Sequence, residues 1–240
     1  MGARPAHFRP DAGALKRVRG GRAGGAGREG RGESGGAGVR GMTLATYHAI
    51  ATLGQALAGM LKTASAGTEF DGFKFELYQA GDFKSTPVTE GVTLYLYRVA
   101  INTARRNMPP SVGPDGRRYR PAVPVDLYYL LTPWAKSAAK QHRLLGWAMR
   151  ALQDTTVLPA SLLNHYAPET EAFRAPETVE LICEPVSVQD MMNILDPVDL
   201  NQQLSVTYVA RMISIESTVP VEEGAPVQTR VFDYAKGPEA

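Results

Sequence analysis

Apolar side chains recur along this chain with two different periods, and each change of period marks an element. Ile50, Leu53, Leu57, Met60 and Leu61 fall on one helical stripe, with His48, Thr52, Gln55 and Lys62 elsewhere. This pattern predicts an amphipathic helix from about residue 44, capped by Thr43 or Thr46. From residue 73 the period drops to two. Phe73, Phe75 and Leu77 share one face and Lys74, Glu76 and Tyr78 the other, a half-buried strand. A polar connection over 81–91 leads to Val92–Ile101, a strand apolar on both faces and therefore central in its sheet. Residues 102–121 read as a long polar loop with Pro109-Pro110 and a Gly113-Pro114-Asp115-Gly116 turn.

A third strand, Ala122–Thr132, stops at Pro133, and a helix follows over 136–153 with Ala139, His142, Leu145, Met149 and Leu152 as its stripe. Residues 155–166 turn through Pro159. Thr178–Glu184 predicts a fourth strand. Ser187-x-x-Asp190 approximates a capping box and opens a short helix ended by Pro197. Leu204–Ile215 is a long fifth strand, and Val227–Tyr234 adds an edge strand beyond a Pro/Glu-rich turn. The order α-β-β-β-α-β-α-β-(β) describes an α+β domain, mostly antiparallel, flanked by helices.

Composition divides the 240 residues unequally. Residues 1–41 hold 13 of the 24 glycines, are net basic and contain almost no large apolar side chain. Such a leader buries too little surface to offset its ordering entropy. Met42 is taken as the start of the foldable chain and 42–240 as one domain, with a C-terminal edge segment from about 217. The remaining body is mildly acidic, which excludes a basic nucleic-acid-binding body. The apolar run 44–60 followed by Ala64-Ser65-Ala66 has the outline of a signal peptide. It lacks a basic n-region after Met42 and is interrupted by His48, Gln55 and threonines, so the helix is preferred. No segment approaches the ~20 apolar residues of a membrane span.

Candidate chemistry is sparse. The single cysteine, Cys183, excludes an intrachain disulfide or a cysteine zinc cluster and reads as a small buried hydrophobe in its strand. The histidines His7, His48, His142 and His165 have no metal-ligand spacing, and no nucleophile elbow or Walker-type phosphate loop occurs. Asp126 interrupts an apolar strand, but alternation places it with Tyr128 opposite Val125, Leu127 and Tyr129, a structural or solvated position. Glu169, Glu171, Glu177, Glu180 and Glu184 read as a solvated acidic face. No catalytic residue, metal or cofactor is expected. The one concentration of charge with a functional reading is the 102–121 loop, whose Arg105, Arg106, Arg117, Arg118 and Arg120 suit contact with an acidic partner or the next subunit.

The densest unusual text is PVDLYYLLTPWAKSAAKQHRLLGWAMRALQDTTVLP, residues 124–159. Its strand ending at Thr132-Pro133-Trp134, the turn His142-Arg143-Leu144-Leu145-Gly146 and the closing Val157-Leu158-Pro159 resemble tube-terminator, or cap, proteins of phage-tail-like contractile injection systems. The strand Leu94–Val99 with its polar exit and the helix from Leu44 extend the resemblance over roughly 44–216. It implies a non-enzymatic α+β fold like phage tail terminators. It also implies a homohexameric ring that ends the inner tube and sheath away from the baseplate and stops elongation.

The implied partners are further copies of the chain, the inner-tube protein and the sheath protein, with neither membrane nor nucleic acid. Location would be the cytoplasm during assembly, with release as part of the particle. Interface candidates are the five arginines, Trp134, His142 and Arg143, an aromatic beside arginines being suited to a contact hot spot. Trp134 also reads as a core anchor for the helix that follows it. Two other classes remain at this stage: a small-ligand-binding α+β module, and a nucleic-acid binder acting through the basic leader.

Overall fold

The computed structural model describes residues 45–85, 88–113, 115–168, 171–200 and 203–222. The expected edge strand at 227–234 and the leader lie outside these residues. The chain order is α1 (Ala49–Ser65), β1 (Lys74–Tyr78), α2 (Asp82–Ser85), β2 (Gly91–Ile101), β3 (Ser111–Val112), β4 (Arg118–Tyr119), β5 (Val123–Trp134), α3 (Ala138–Gln153), β6 (Val157–Pro159), α4 (Ala160–His165), β7 (Thr178–Cys183), α5 (Val188–Leu195) and β8 (Val206–Ile215). Six strands form one sheet in the order β1-β2-β5-β8-β7-β6, and β3 and β4 form a separate hairpin. Every pairing in the large sheet is antiparallel except β1 with β2, which run parallel across the connection holding α2. The α+β class holds, with one parallel edge.

Long strands sit in the middle because their sequences suit burial on both faces. On β5, Val125, Leu127, Tyr129 and Leu131 face α1, α3 and α4 in the larger core, while Leu130 faces a smaller core with Leu195, Val198 and Leu200. Phe83 of α2 covers that second face, stacking edge-on between Tyr78 and Tyr95 at 5.1 and 5.6 Å. Phe70 and Phe75 close the first face around Trp147.

α1 is buried around more of its circumference than an amphipathic surface helix. Thr52, Gly54, Ala56 and Ala58 are interior together with Leu53, Leu57 and Leu61. The small residues let neighbours approach closely, since a Cβ on Gly59 would lie 2.2 Å from the Tyr166 ring. The helix starts at Ala49 without a side-chain cap. Thr46 instead accepts the His48 N–H at 3.4 Å. The Ser65 of the signal-like Ala-Ser-Ala is buried and donates to the Lys62 carbonyl.

The α3 stripe is rotated from its expected position. Leu144, Ala148 and Leu152 are buried, whereas Ala139 and His142 are exposed. Alanine and histidine tolerate either face, so only the leucines set the phase. The residues after Gln153 are more ordered than a turn, forming β6 and α4. α5 is capped as its sequence predicts, with Ser187 Oγ accepting the Asp190 N–H at 3.1 Å.

Candidate interaction surface

The 102–121 segment is an ordered arm. Asn102 caps a 3-10 turn by accepting the Ala104 N–H, and β3 and β4 pair through Ser111–Tyr119 and Val112–Arg118. At the tip Asp115 accepts from the Arg117 N–H at 3.1 Å and the Tyr119 hydroxyl at 2.8 Å. These donors hold the Asp115 carboxyl below its ordinary range, the Tyr119 hydroxyl contributing most. The outer edge of β4 is covered by residues 219–221, because Arg120 donates to the Val219 carbonyl and Val221 to the Arg118 carbonyl. The arm thus continues the β2-β5-β8 part of the sheet past its bulges.

Its root is fastened by Asp126. The β5–β8 register shifts between Val125 and Leu127, leaving Met212 at φ +67°. Asp126 is 9% exposed and accepts the Met212 N–H at 3.0 Å and the Asn102 side-chain amide at 3.1 Å. One carboxylate therefore closes a bulge and anchors the arm, which decides for the structural over the solvated role that alternation left open. A bulge aims the chain beyond it away from the regular sheet.

Arg105, Arg106, Arg118 and Arg120 are exposed and form no ion pair among the described residues, and Arg117 makes a long surface contact of 3.8 Å with Asp115. The five arginines are thus displayed on one arm. The other candidates stand elsewhere. Trp134 ends the twelve-residue β5 whose start carries the arm. At about 3.3 Å per residue the two ends are about 36 Å apart. Trp134 is half-buried in the smaller core and donates its indole N–H to Thr93 Oγ1 at 3.0 Å. The Pro133 carbonyl beside it accepts from Gln141 and Gln203 at 3.0 and 2.8 Å, so Thr132-Pro133-Trp134 locks the end of β5 to α3 and β8's approach. Arg143 forms a two-pronged pair with Glu69 at 3.2 Å, and His142 is exposed on α3.

Sequence reasoning missed two features. Glu177 does not belong to a solvated face: it is half-buried and accepts from the Ala45 and Arg174 N–H groups at 2.8 and 2.9 Å. Burial raises its carboxyl above the ordinary range, opposed by those two N–H groups. Arg174 beside it pairs with Glu216 at 3.3 Å. The signal available was Glu177 itself, an acid directly preceding a strand. The second feature is a groove of about 560 Å³ on the second sheet face, lined by Tyr97, Arg98, Tyr128, Glu184, Ser187 and Asp190 among others. Arg98 lies 5.0 Å over the Tyr128 ring, and burial pushes the Tyr97 hydroxyl up to about 12. Cys183 is half-buried, and burial raises its thiol. Among the described residues no group of three potential metal ligands occurs and no helix is long and apolar enough to cross a membrane.

A mixed sheet with helices on both faces and a projecting, cationic arm defines an α+β protein whose charged features lie on its outer surface. The sequence matches the family model described as the Pvc16 N-terminal domain over residues 52–229, and the chain belongs to that family. The fold is similar to a sheath/tube terminator of an extracellular contractile injection system (PVC) in its extended state. That match has a TM-score of 0.54 at 13% identity, covering 82% of this chain and 66% of that one. A second match is the tube-terminating cap of the anti-feeding prophage, with a TM-score of 0.48, 15% identity, and coverage of 75% and 59%. The chain spans 66% and 59% of the lengths of those two proteins. Sequence comparison with curated proteins returns no match.

Proposed function

We propose that this protein is the cap of a contractile injection system, a homohexameric ring that ends the inner tube and sheath at the baseplate-distal end and stops elongation. The observation that carries the reading is the family match over residues 52–229 on a chain whose fold is similar to a sheath/tube terminator. The chain acts as a structural subunit without catalysis. Its partners are further copies of itself, the last tube ring and the last sheath ring. It assembles in the cytoplasm and leaves with the particle where the particle is released.

The surface suits this task. A head-to-tail contact between two different patches closes into a ring when the rotation closes. A cap also needs one face that fits the tube end and another that offers the next ring nothing to bind. The arm supplies a directional feature, with four arginines free of ion pairs among the described residues set on a mildly acidic body. Trp134 and Arg143 are engaged within the subunit, which leaves the arm as the better contact candidate.

Electron microscopy of contractile particles from cells with and without the gene tests the reading. Overlong or ragged tubes, or tubes without sheath, are expected in its absence. Particles of normal length and ending would refute it.

A further inference from the structure

The β1 strand stops pairing with β2 at Tyr78–Tyr95, yet β2 continues to Ile101 with β5 on its other side. Among the described residues nothing pairs with the outer edge of β2 from Leu96 to Ile101. The overhang also carries bare apolar surface. Val99 and Ile101, opposite Leu127 and Val125, are 48% and 51% exposed, and Val123 next to them is 47% exposed. Arg98, opposite Tyr128, projects on the other face. Edges of this kind pair with additional strands unless lysines, prolines or a covering element block them, and Arg98 is the only charge here.

The sequence itself contains a segment with a matching pattern. Residues 223–240 follow the last described residue, and within them Val227–Tyr234 alternates. Arg230, Phe232 and Tyr234 share one face and Val231 and Asp233 the other. Pairing that sets Phe232 and Tyr234 over Val99 and Ile101 sets Asp233 on the face of Arg98. Apolar surface and charge are then both matched.

The ring reading selects which copy supplies it, since residues 222–227, at about 3.3 Å per residue, also reach across within one chain. The two edges of β4 are taken by β3 and by residues 219–221. β3 prolongs β2, and residues 219–221 prolong β8, so the described chain ends on the side away from the β2 edge. The two sides are two to three strand spacings apart, about 10–14 Å. In a head-to-tail arrangement the departing side of one subunit meets the β2 edge of the next, whereas a twofold would set like edges together.

We infer that the C-terminal segment Val227–Tyr234 of each subunit adds as a strand to the Leu96–Ile101 edge of β2 in the neighbouring subunit. This inference rests on the ring reading and gives that ring its strand-exchange contact. Main-chain hydrogen bonds would supply affinity, and the Phe232, Tyr234 and Asp233 positions the register.

Full-length chains carrying Cys183→Ser provide the test. One set also bears Val99→Cys and the other Phe232→Cys, and the two are mixed and treated with a short bis-maleimide. A covalent dimer formed only in the mixture is expected. Arg98→Glu in the first set should lower its yield about fivefold, the upper range for one exposed charge pair, and Asp233→Arg in the second set should restore it. In a third set bearing both Val99→Cys and Phe232→Cys, a link found only within single chains would overturn the inference in favour of a segment folded back on its own subunit. Absence of any link would overturn it outright. Native mass measurement of the untreated protein separates the two readings: a sixfold mass without a mixed-chain link retains the ring and removes the strand exchange.

Discussion

Replacing Asp126 by alanine removes one carboxylate and three hydrogen bonds, and the structure says where the loss is felt. The Met212 N–H, 3.0 Å from Oδ1, and the Asn102 amide, 3.1 Å from both oxygens, lose their acceptor in a site that is 9% exposed. Hydrogen bonds to a charged group contribute about 1.5–3 kcal/mol each, and burying the carboxylate itself opposes part of that gain. Two donors left without a partner therefore predict a net loss of about 2–4 kcal/mol. Met212 at φ +67° is disfavoured by about 1–2 kcal/mol in the parent already, so this strain is held by the bond rather than added by its loss. Urea unfolding followed by fluorescence of Trp134 and Trp147 reads the effect. With a slope of about 2 kcal/mol per molar urea, the midpoint should fall by about 1–2 M with the slope unchanged. Met212→Gly in the Asp126→Ala background should recover about 1 kcal/mol by relieving the backbone. A single variant within about 0.5 kcal/mol of the parent, or no recovery from the glycine, would refute the bulge-clamp argument.

Single charge reversals of Arg105, Arg106, Arg118 or Arg120 to glutamate should each leave the unfolding free energy within about 0.5 kcal/mol, since all four are exposed. Particles assembled with all four reversed should show overlong tubes by electron microscopy, and normal tubes would remove the arm from the contact. Ser187→Ala deletes the acceptor for the Asp190 N–H at the start of α5 and should cost about 1 kcal/mol in thermal or urea unfolding. Glu177→Gln should change the pH dependence of stability. Burial raises the folded-state carboxyl above its unfolded value of about 4.3, so the folded chain holds the proton to higher pH. The parent therefore gains stability as pH falls through the folded-state value, the contribution being complete below the unfolded value and lost again as pH rises through the folded one. Glutamine has no such gain, so the parent's melting temperature should rise relative to the variant's as pH falls from 7 toward the unfolded value of about 4.3. A relative fall would contradict the assigned cause.

Local pattern was enough for the elements with strong periodicity. β5 and β8 are long, β-branched and apolar on both faces, and such runs find their stable place at the centre of a sheet, whereas β2 is flanked on both sides only as far as Tyr95. The two faces of β5 and the cap of α5 follow from alternation and side-chain chemistry alone, whereas the choice between a structural and a solvated Asp126 needed its distant partners. The peculiar block at 124–159 also carried the family resemblance. It contains the Thr132-Pro133-Trp134 exit, whose proline carbonyl, indole and threonine hydroxyl all bond to neighbouring elements.

Tertiary structure decided what depends on partners distant in sequence. The parallel pairing of β1 depends on a crossover whose direction no local residue encodes. α1 is buried nearly all round because α4 and the sheet close on its small residues, so its apolar stripe understated its burial. The phase of α3 was set by Leu144 and Leu152 against the core, while His142, neutral in pattern, turned outward. The arginine segment lacks periodicity and reads as a loop. It becomes an arm because Asn102 and Met212 meet Asp126 and residues 219–221 pair with β4, contacts spanning 24, 86 and about 100 positions of sequence. Composition and periodicity specify which faces are apolar. Only long-range hydrogen bonds specify where the charged surface is carried.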